Sequence, residues 1–149
     1  MKKRIYYHDT DCGGVVYYAN YLKFFEEART EYFALKNASI KLLADSGTMF
    51  VVARQEVDYK FPAKYADDLD VITSIGDITG VRIEFLHEIY NQDKQIIVKA
   101  KTTMVCVDKN LRPQAIPEDL RKKIASSPSA PRNDNLRVIA SEAKQSNKG

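Results

Sequence analysis

The stretch at residues 21–35, YLKFFEEARTEYFAL, decides the fold because it carries a clear helical period. Apolar residues recur at steps of three and four, at Tyr21, Phe24, Phe25, Ala28, Tyr32 and Leu35. Polar residues occupy the positions between them and predict a polar face, made of Lys23, Glu26, Glu27, Arg29 and Glu31. The pattern predicts a helix that begins between Val16 and Asn20 and ends near Asn37.

After this helix, apolar and polar residues alternate with the period of two that is typical of β-strands. Strands are predicted at residues 50–59, 69–78, 82–90 and 95–107, with a shorter one at residues 3–7. Residues 91–94, NQDK, predict a hairpin loop, and Pro117 suits the first turn of a short helix. One long helix beside five antiparallel strands predicts an α+β fold, with a curved sheet wrapped around the helix.

Composition is ordinary for a globular protein, at 44% hydrophobic and 29% charged residues in a chain of 149. No run approaches the roughly 18 apolar residues of a membrane helix, and no apolar core follows the basic start of the chain. Two cysteines, Cys12 and Cys106, are too few for a disulfide framework. We therefore expect a cytoplasmic protein without a membrane span.

The last part of the chain differs from the rest. Residues 126–135 are rich in Ser, Pro and Asn, so we predict a domain at residues 1–125 and a flexible appendage at residues 126–149. The appendage holds four basic and two acidic residues, which leaves a net charge of +1 on residues 1–125. A near-neutral body argues against nucleic acid as a partner.

The loop before the long helix concentrates reactive side chains in residues 6–21, YYHDTDCGGVVYYANY. Paired glycines permit a close approach of a ligand to the backbone. The start of a helix presents unpaired N–H groups that stabilise negative charge on a carbonyl oxygen. A carboxylate of the loop could attack that carbonyl or activate water against it. The pattern is the minimal apparatus for acyl transfer to water.

Residues 7–21, together with Phe25, Ala28 and Arg29, resemble the hotdog-fold acyl-CoA thioesterases of the YbgC type, within the 4-hydroxybenzoyl-CoA thioesterase family. Residues 59–63, 67–69 and 105–108 extend the resemblance over roughly residues 3–125. The resemblance implies a hotdog fold, an acyl-CoA substrate and hydrolysis without a metal or other cofactor, coenzyme A being part of the substrate. It also implies a homodimer or tetramer with sites between subunits, which would cover a sheet edge.

The resemblance further implies that Asp11 is the catalytic carboxylate and that the backbone amide of Tyr18 polarises the thioester carbonyl. Tyr7 and Gly14, in the same motif, are the accompanying catalytic and substrate-binding candidates. YbgC-type proteins usually carry histidine where this chain has Tyr18. A backbone role survives that change, whereas a side-chain base does not, because a tyrosine with a pKa near 10 is a poor base at neutral pH.

The long pantetheine arm of coenzyme A needs a mostly apolar channel, and its phosphates need exposed cations. Phe50, Val51 and Val52 are candidates to line that channel. The nucleotide end is expected at an apolar turn between two lysines, formed by Lys60, Phe61, Pro62, Ala63 and Lys64. A solvated loop between two strands is the alternative for this segment.

Other interpretations of these residues remain open. Asp9 is expected to cap a turn, although it could be a second catalytic acid. His8, Asp9 and Asp11 could bind a metal, and Cys12 could be a nucleophile with His8 as its base, but neither spacing is diagnostic. His87 is expected to be a packed, hydrogen-bonded histidine rather than a catalytic one. The alternative functions are a non-catalytic acyl-binding or scaffold protein and a hotdog dehydratase.

Overall fold

A computed structural model describes residues 1–125 of the chain. The predicted flexible appendage at residues 126–149 lies outside the described residues. Within residues 1–125, no helix has the length and apolar character that crossing a membrane requires.

The described residues form five strands and three α-helices. The strands are β1 (Lys2–Arg4), β2 (Met49–Tyr59), β3 (Asp68–Ile78), β4 (Arg82–Tyr90) and β5 (Ile96–Val107). The helices are α1 (Asn20–Leu35), α2 (Ile40–Asp45) and α3 (Glu118–Ala125). All strand pairs are antiparallel, in the order β1-β3-β4-β5-β2. The α+β architecture predicted from the sequence is therefore confirmed.

Helix α1 packs its apolar face onto the sheet and supplies much of the core. Phe24, Phe25 and Phe33 are at most 2% exposed. Their partners are alternate residues of the strands, including Ile83, Phe85, His87 and Ile89, which share the buried face of β4 as the period of two predicts. Burying aromatic side chains on one face fixes the helix against the sheet.

Two local predictions were wrong, and one short helix was missed. The first strand is shorter than residues 3–7, because Tyr7–Asp9 turns into a 3-10 helix. Helix α2 was not predicted, since its six residues are too few to show a period. Leu35 was placed on the apolar face of α1, yet it is 57% exposed at the last position of the helix.

A fourth correction matters more for function. Arg29 was assigned to the polar face of α1, but it is only 7% exposed and lies between the helix and the sheet. The position falls four residues after Phe25 and next to Ala28, inside the apolar stripe. The sequence therefore places a charged side chain on the buried face of the central helix.

Strands β1 and β2 are the two edges of the sheet. β1 is short, whereas β2 is 11 residues long and mostly exposed. Its register against β5 shifts between Val52 and Arg54, which marks a β-bulge. A long edge strand presents unpaired backbone groups to any strand that approaches it.

Candidate active site

Asp11 lies in a tight turn before α1. Its N–H donates to the carbonyl of Val15 at 2.9 Å, and its own carbonyl accepts from the N–H of Gly14 at 3.0 Å. The carboxylate atom Oδ1 accepts from the N–H of Gly13 at 2.8 Å. Gly14 has a φ of +78°, which glycine adopts without strain. Asp11 is exposed, and a backbone turn restrains its carboxylate.

Asp9 has a different environment although it is only two residues away. It is 8% exposed, and its Oδ2 accepts from the N–H of Tyr6 at 2.9 Å. The carbonyl of Asp9 accepts from the N–H of Tyr17 at 2.9 Å and from Nδ2 of Asn20 at 2.8 Å. Asp9 thus caps the 3-10 turn, as predicted, and ties the loop to the start of α1.

The N-terminus of α1 is left open to a ligand. Ala19, at the cap position, provides no side-chain hydrogen bond, and the first turn carries no acidic residue. Among the described residues, no backbone carbonyl accepts from the N–H of Tyr18. The carbonyl of Tyr18, by contrast, accepts from the hydroxyl of Tyr59 at 3.2 Å. Free amides and an uncompensated helix dipole favour a partial negative charge at this point.

Exposed aromatic side chains surround this loop. Tyr7 stacks on Tyr65 with ring centroids 3.8 Å apart. Tyr18 meets the ring of Tyr59 edge-on at 6.1 Å, and burial raises the pKa of Tyr59, so its hydroxyl remains a donor at neutral pH. Tyr7 is 73% exposed and Tyr18 61% exposed. The predicted residues Tyr7, Asp11, Gly14 and Tyr18 therefore belong to one exposed region around the start of α1.

The predicted nucleotide turn follows β2 and adjoins the same loop. Val16 donates its N–H to the carbonyl of Ala63 at 2.8 Å, and Val15 forms a bridge with Lys64. Lys60, Phe61 and Pro62 are exposed, as is Lys64. The structure therefore places this basic and apolar turn beside the Asp11 loop.

The predicted channel residues divide between two environments. Val51 and Val52 are 39% and 50% exposed on the edge strand β2. Phe50 instead lines a pocket of about 320 Å³ between α1, α2 and the sheet. Most of its walls are apolar, contributed by Phe33, Ile40, Leu43, Ala44, Met49, Phe50 and Met104. Arg29 also lines this pocket, together with Glu26, Thr30 and Thr48.

Arg29 has few partners for a buried cation. Its Nη1 donates to Oγ1 of Thr102 at 3.4 Å, and Thr102 in turn donates to Oε1 of Gln55 at 2.7 Å. Burial lowers the pKa of Arg29, and the nearby charge of Glu26 opposes that effect. Sequence reasoning missed this pocket because α1, α2 and the strands that line it come together only through the tertiary fold.

His87 lies in the core near Arg29. It is 1% exposed, stacks on Phe25 at 4.8 Å, and places Nδ1 3.2 Å from Oγ1 of Thr73. Its Nε2 has no hydrogen-bond partner in residues 1–125. Burial first, and the charge of Arg29 second, lower the pKa of His87 to about 3. The imidazole is therefore neutral at neutral pH and serves packing, as predicted, with one nitrogen satisfied.

The residues considered for a metal site or a cysteine nucleophile differ in their exposure. His8 is 72% exposed at its side chain and places Nδ1 3.7 Å from Oδ1 of Asp9. Cys12 is exposed and Cys106 is buried. Across residues 1–125, no group of three or more His, Cys, Asp or Glu side chains is arranged to hold a metal ion.

Comparison with known proteins gives consistent matches over the described residues. The family model of the thioesterase-like superfamily matches residues 6–124. The acyl-CoA thioesterase YbgC of Haemophilus influenzae is 39% identical over 120 residues, which cover 79% of this chain and 88% of the relative. The acyl-CoA thioester hydrolase YbgC of Escherichia coli O157:H7 is 37% identical over 118 residues, covering 78% and 88%.

A solved structure shares both the fold and part of the sequence. The probable thioesterase from Bartonella henselae superposes with a TM-score of 0.74 at 32% identity. The match covers 78% of this chain and 97% of that protein.

Proposed function

The chain belongs to the thioesterase-like superfamily, and from that premise we propose how its own residues hydrolyse an acyl-CoA thioester. The enzyme is an acyl-CoA thioester hydrolase of the YbgC type, for which thioester and water are the reactants and free acid and coenzyme A the products. The observation that carries the proposal is one exposed carboxylate, Asp11, held by a backbone turn beside an uncapped helix start.

The start of α1 supplies the electrophilic half of the site. In the proposal the thioester carbonyl oxygen accepts from the N–H of Tyr18, which donates to no carbonyl of residues 1–125. Negative charge that develops on that oxygen during attack is stabilised by the amide and by the helix dipole. The carbonyl of Tyr17, which shares a peptide group with this N–H, accepts from the N–H of Asn20 at 2.9 Å. The hydroxyl of Tyr59 donates to the carbonyl of Tyr18 in the next peptide group, and the two bonds together orient the backbone here.

Asp11 supplies the nucleophilic half. Its Oδ1 accepts from the N–H of Gly13, which restrains the carboxylate, and the residue as a whole is exposed. A side chain at position 13 would crowd that arrangement, since a Cβ there would lie 3.1 Å from Oδ1. The carboxylate either takes a proton from the attacking water or attacks the carbonyl itself. Neither route requires a metal or an organic cofactor.

The nucleotide end of coenzyme A is assigned to the turn that follows β2. Lys60 and Lys64 flank exposed apolar residues there, and the bridge from Val15 to Lys64 connects the turn to the Asp11 loop. Exposed ammonium groups attract phosphates, and the interaction is screened by salt. Val51 and Val52, exposed on the same edge strand, are the proposed apolar contacts of the pantetheine arm.

The protein is proposed to act as a homodimer that pairs the edge strands β2 of two copies. The long exposed edge of β2 supports this arrangement. In an antiparallel two-fold pair, the Met49 end of one strand faces the Tyr59 end of the other. Since Tyr59 binds Tyr18, each helix start would meet the first residues of the partner subunit's β2. A tetramer of such dimers and a cytoplasmic location stay predictions.

Replacement of Asp11 tests the proposed chemistry. Asp11→Asn keeps the size of the side chain and removes its charge, so we expect hydrolysis to fall by at least ~100-fold, the scale of a lost acid or base group. Asp93→Asn, in the exposed hairpin after β4, is the matched control and should keep the wild-type rate. Near-normal turnover by folded Asp11→Asn protein would exclude the assignment.

A further inference from the structure

The pocket between α1 and α2 is lined by a buried cation, Arg29, on which the exposed carboxylate of Glu26 acts through its charge without forming an ion pair within residues 1–125. Arg29 is 7% exposed and forms no ion pair with any residue in 1–125. Its single side-chain hydrogen bond, to Thr102, is long at 3.4 Å. Unpaired charges are costly to bury, so a guanidinium in this position is poised for an anionic partner.

Arg29 lines a cavity although it is nearly buried. In the described part of the chain, His87 Nε2 is the one side-chain nitrogen or oxygen that is both fully buried and unpartnered. No nitrogen of Arg29 is therefore both fully buried and unpartnered, and the cavity that Arg29 lines has a volume of about 320 Å³. A guanidinium offers five donors, of which one is used here.

The walls of the pocket define the rest of the ligand. Phe33, Phe50 and Met104 face the cavity and suit a chain of methylene groups. Its volume lies at the lower end of small-molecule sites, about 300–1,000 Å³. One planar guanidinium at the end of an apolar pocket matches one carboxylate, which it can bind through two parallel hydrogen bonds. A phosphate would bring more charge than this single cation balances.

We propose that Arg29 selects acyl groups that end in a carboxylate, so that the preferred substrates are coenzyme A monothioesters of dicarboxylic acids. This inference rests on the proposed function. Glu26 does not prevent it, because that side chain is exposed and its Oε1 already accepts from Thr30 Oγ1 at 3.2 Å.

The position of the pocket fits a site shared by two subunits. Arg29 follows Tyr18 by eleven residues, about 16 Å at 1.5 Å per helical residue, which is too far for a short acyl group within one chain. Met49 and Phe50, at the start of β2, line the pocket. In the proposed dimer this end of β2 faces the partner's Tyr18, so the acyl group enters the pocket of one subunit while its thioester lies on the other.

Matched substrate pairs test the selection. Wild-type protein is assayed for thiol release from glutaryl-CoA against valeryl-CoA, and from adipyl-CoA against hexanoyl-CoA. We expect kcat/KM to favour the carboxylate-ended ester by at least ~10-fold, the scale of a charge-assisted hydrogen bond. In Arg29→Gln that preference should disappear, mainly through KM, and Arg29→Lys should restore part of it. Arg82→Gln removes an exposed arginine at the start of β4 and should keep the wild-type ratio.

Equal or better hydrolysis of the methyl-ended esters by wild-type protein would overturn the inference, as would an unchanged ratio in Arg29→Gln. If the Arg29 variants do not fold, the wild-type ratio still decides. If no ester of either pair is hydrolysed but other acyl-CoA esters are, the inference fails and the proposed function stands. If a panel of short, long and aromatic acyl-CoA esters is not hydrolysed either, the proposed function fails. Calorimetric binding of glutarate against valerate to the wild-type protein then tests the pocket by itself, and tighter binding of valerate would reject the carboxylate site.

Discussion

The loop before α1 and the middle of α1 hold charge in opposite ways. Asp11 is exposed, and a single backbone amide fixes its carboxylate. Arg29 is buried, and its environment is assembled from two strands and a second helix. The first region gains its properties from neighbours in sequence and the second from neighbours in space. In this fold the groups proposed to react are therefore encoded locally, whereas the pocket proposed to select substrates is encoded by packing.

The largest expected effect is the pH dependence of folding stability that comes from His87, which is buried beside α1. His87 has a pKa of about 3 in the folded protein, far below the usual 6.5. Between these values the unfolded chain binds a proton that the folded chain does not, so stability is complete above about pH 6.5 and falls as the pH drops. The loss approaches about 1.4 kcal/mol per pH unit in this window.

His87→Phe should flatten that dependence, because it keeps a ring to stack on Phe25 and removes the titration. The measurement is urea unfolding at a series of pH values below neutrality. His8→Phe is the comparison variant, because it removes the other of the two histidines, whose side chain is exposed. Equal slopes in His87→Phe and wild type would show that the buried region does not respond to pH through this residue.

A smaller effect, on folding stability, distinguishes the capping role of Asp9 from the proposed catalytic role of Asp11. Asp9→Ala removes the carboxylate that accepts from the N–H of Tyr6, so we expect a loss of about 0.5–2 kcal/mol of stability, as for other lost caps. Asp93→Ala, exposed in the hairpin, should change stability little. Thermal unfolding and thiol release are measured together. If the Asp9→Ala protein is as stable as wild type but does not hydrolyse the thioester, the result would indicate that Asp9, rather than Asp11, is the catalytic carboxylate.

The sequence predicted the loop better than the pocket. Asp11, Gly14 and Tyr18 belong to one continuous motif, and a turn needs only near neighbours, so their placement beside the helix start followed from local pattern. Asp9 was also predicted as a cap, and the structure shows its hydrogen bond to Tyr6. The strands were predicted to within one or two residues, apart from β1, because period-two patterns survive without tertiary context.

The pocket could not be predicted because its parts are distant in sequence. Arg29 was assigned to the polar face by its residue type, although its spacing from Phe25 puts it on the buried face. That spacing is the signal that could have revealed it. Thr102, which accepts from Arg29, and Gln55, which accepts from Thr102, are brought together by the pairing of β5 with β2. No single-sequence pattern connects positions so far apart.

A further prediction tests the proposed binding site for the nucleotide end of coenzyme A, at Lys60 and Lys64. Lys60→Ala combined with Lys64→Ala should raise KM several-fold at low salt, leave kcat nearly unchanged, and matter less at high salt, because exposed ion pairs are screened. Lys41→Ala combined with Lys109→Ala removes two exposed lysines elsewhere and serves as the control. An unchanged KM at low ionic strength would place the nucleotide end of coenzyme A at another surface.

The smallest expected effect concerns Tyr18. Its proposed contribution is the backbone N–H, which Tyr18→Phe retains, so the rate should change by less than about twofold. A hydroxyl that takes part in the reaction would instead be worth about 1.5–3 kcal/mol, the scale of a hydrogen bond to a charged group. Steady-state kinetics of the single variant distinguish these values, and a large rate loss would reject the backbone-only role.

The most direct test of the account is thiol release by the purified wild-type protein from a panel of short, long and aromatic acyl-CoA esters. A thiol-specific reagent reports the appearance of free coenzyme A, and the acid product is identified in parallel. The account predicts catalytic release of free thiol in amounts equal to the acid formed. Binding of acyl-CoA without release would instead identify an acyl-binding protein, and loss of water from a hydroxyacyl-CoA would identify a dehydratase; either result would contradict the central claim.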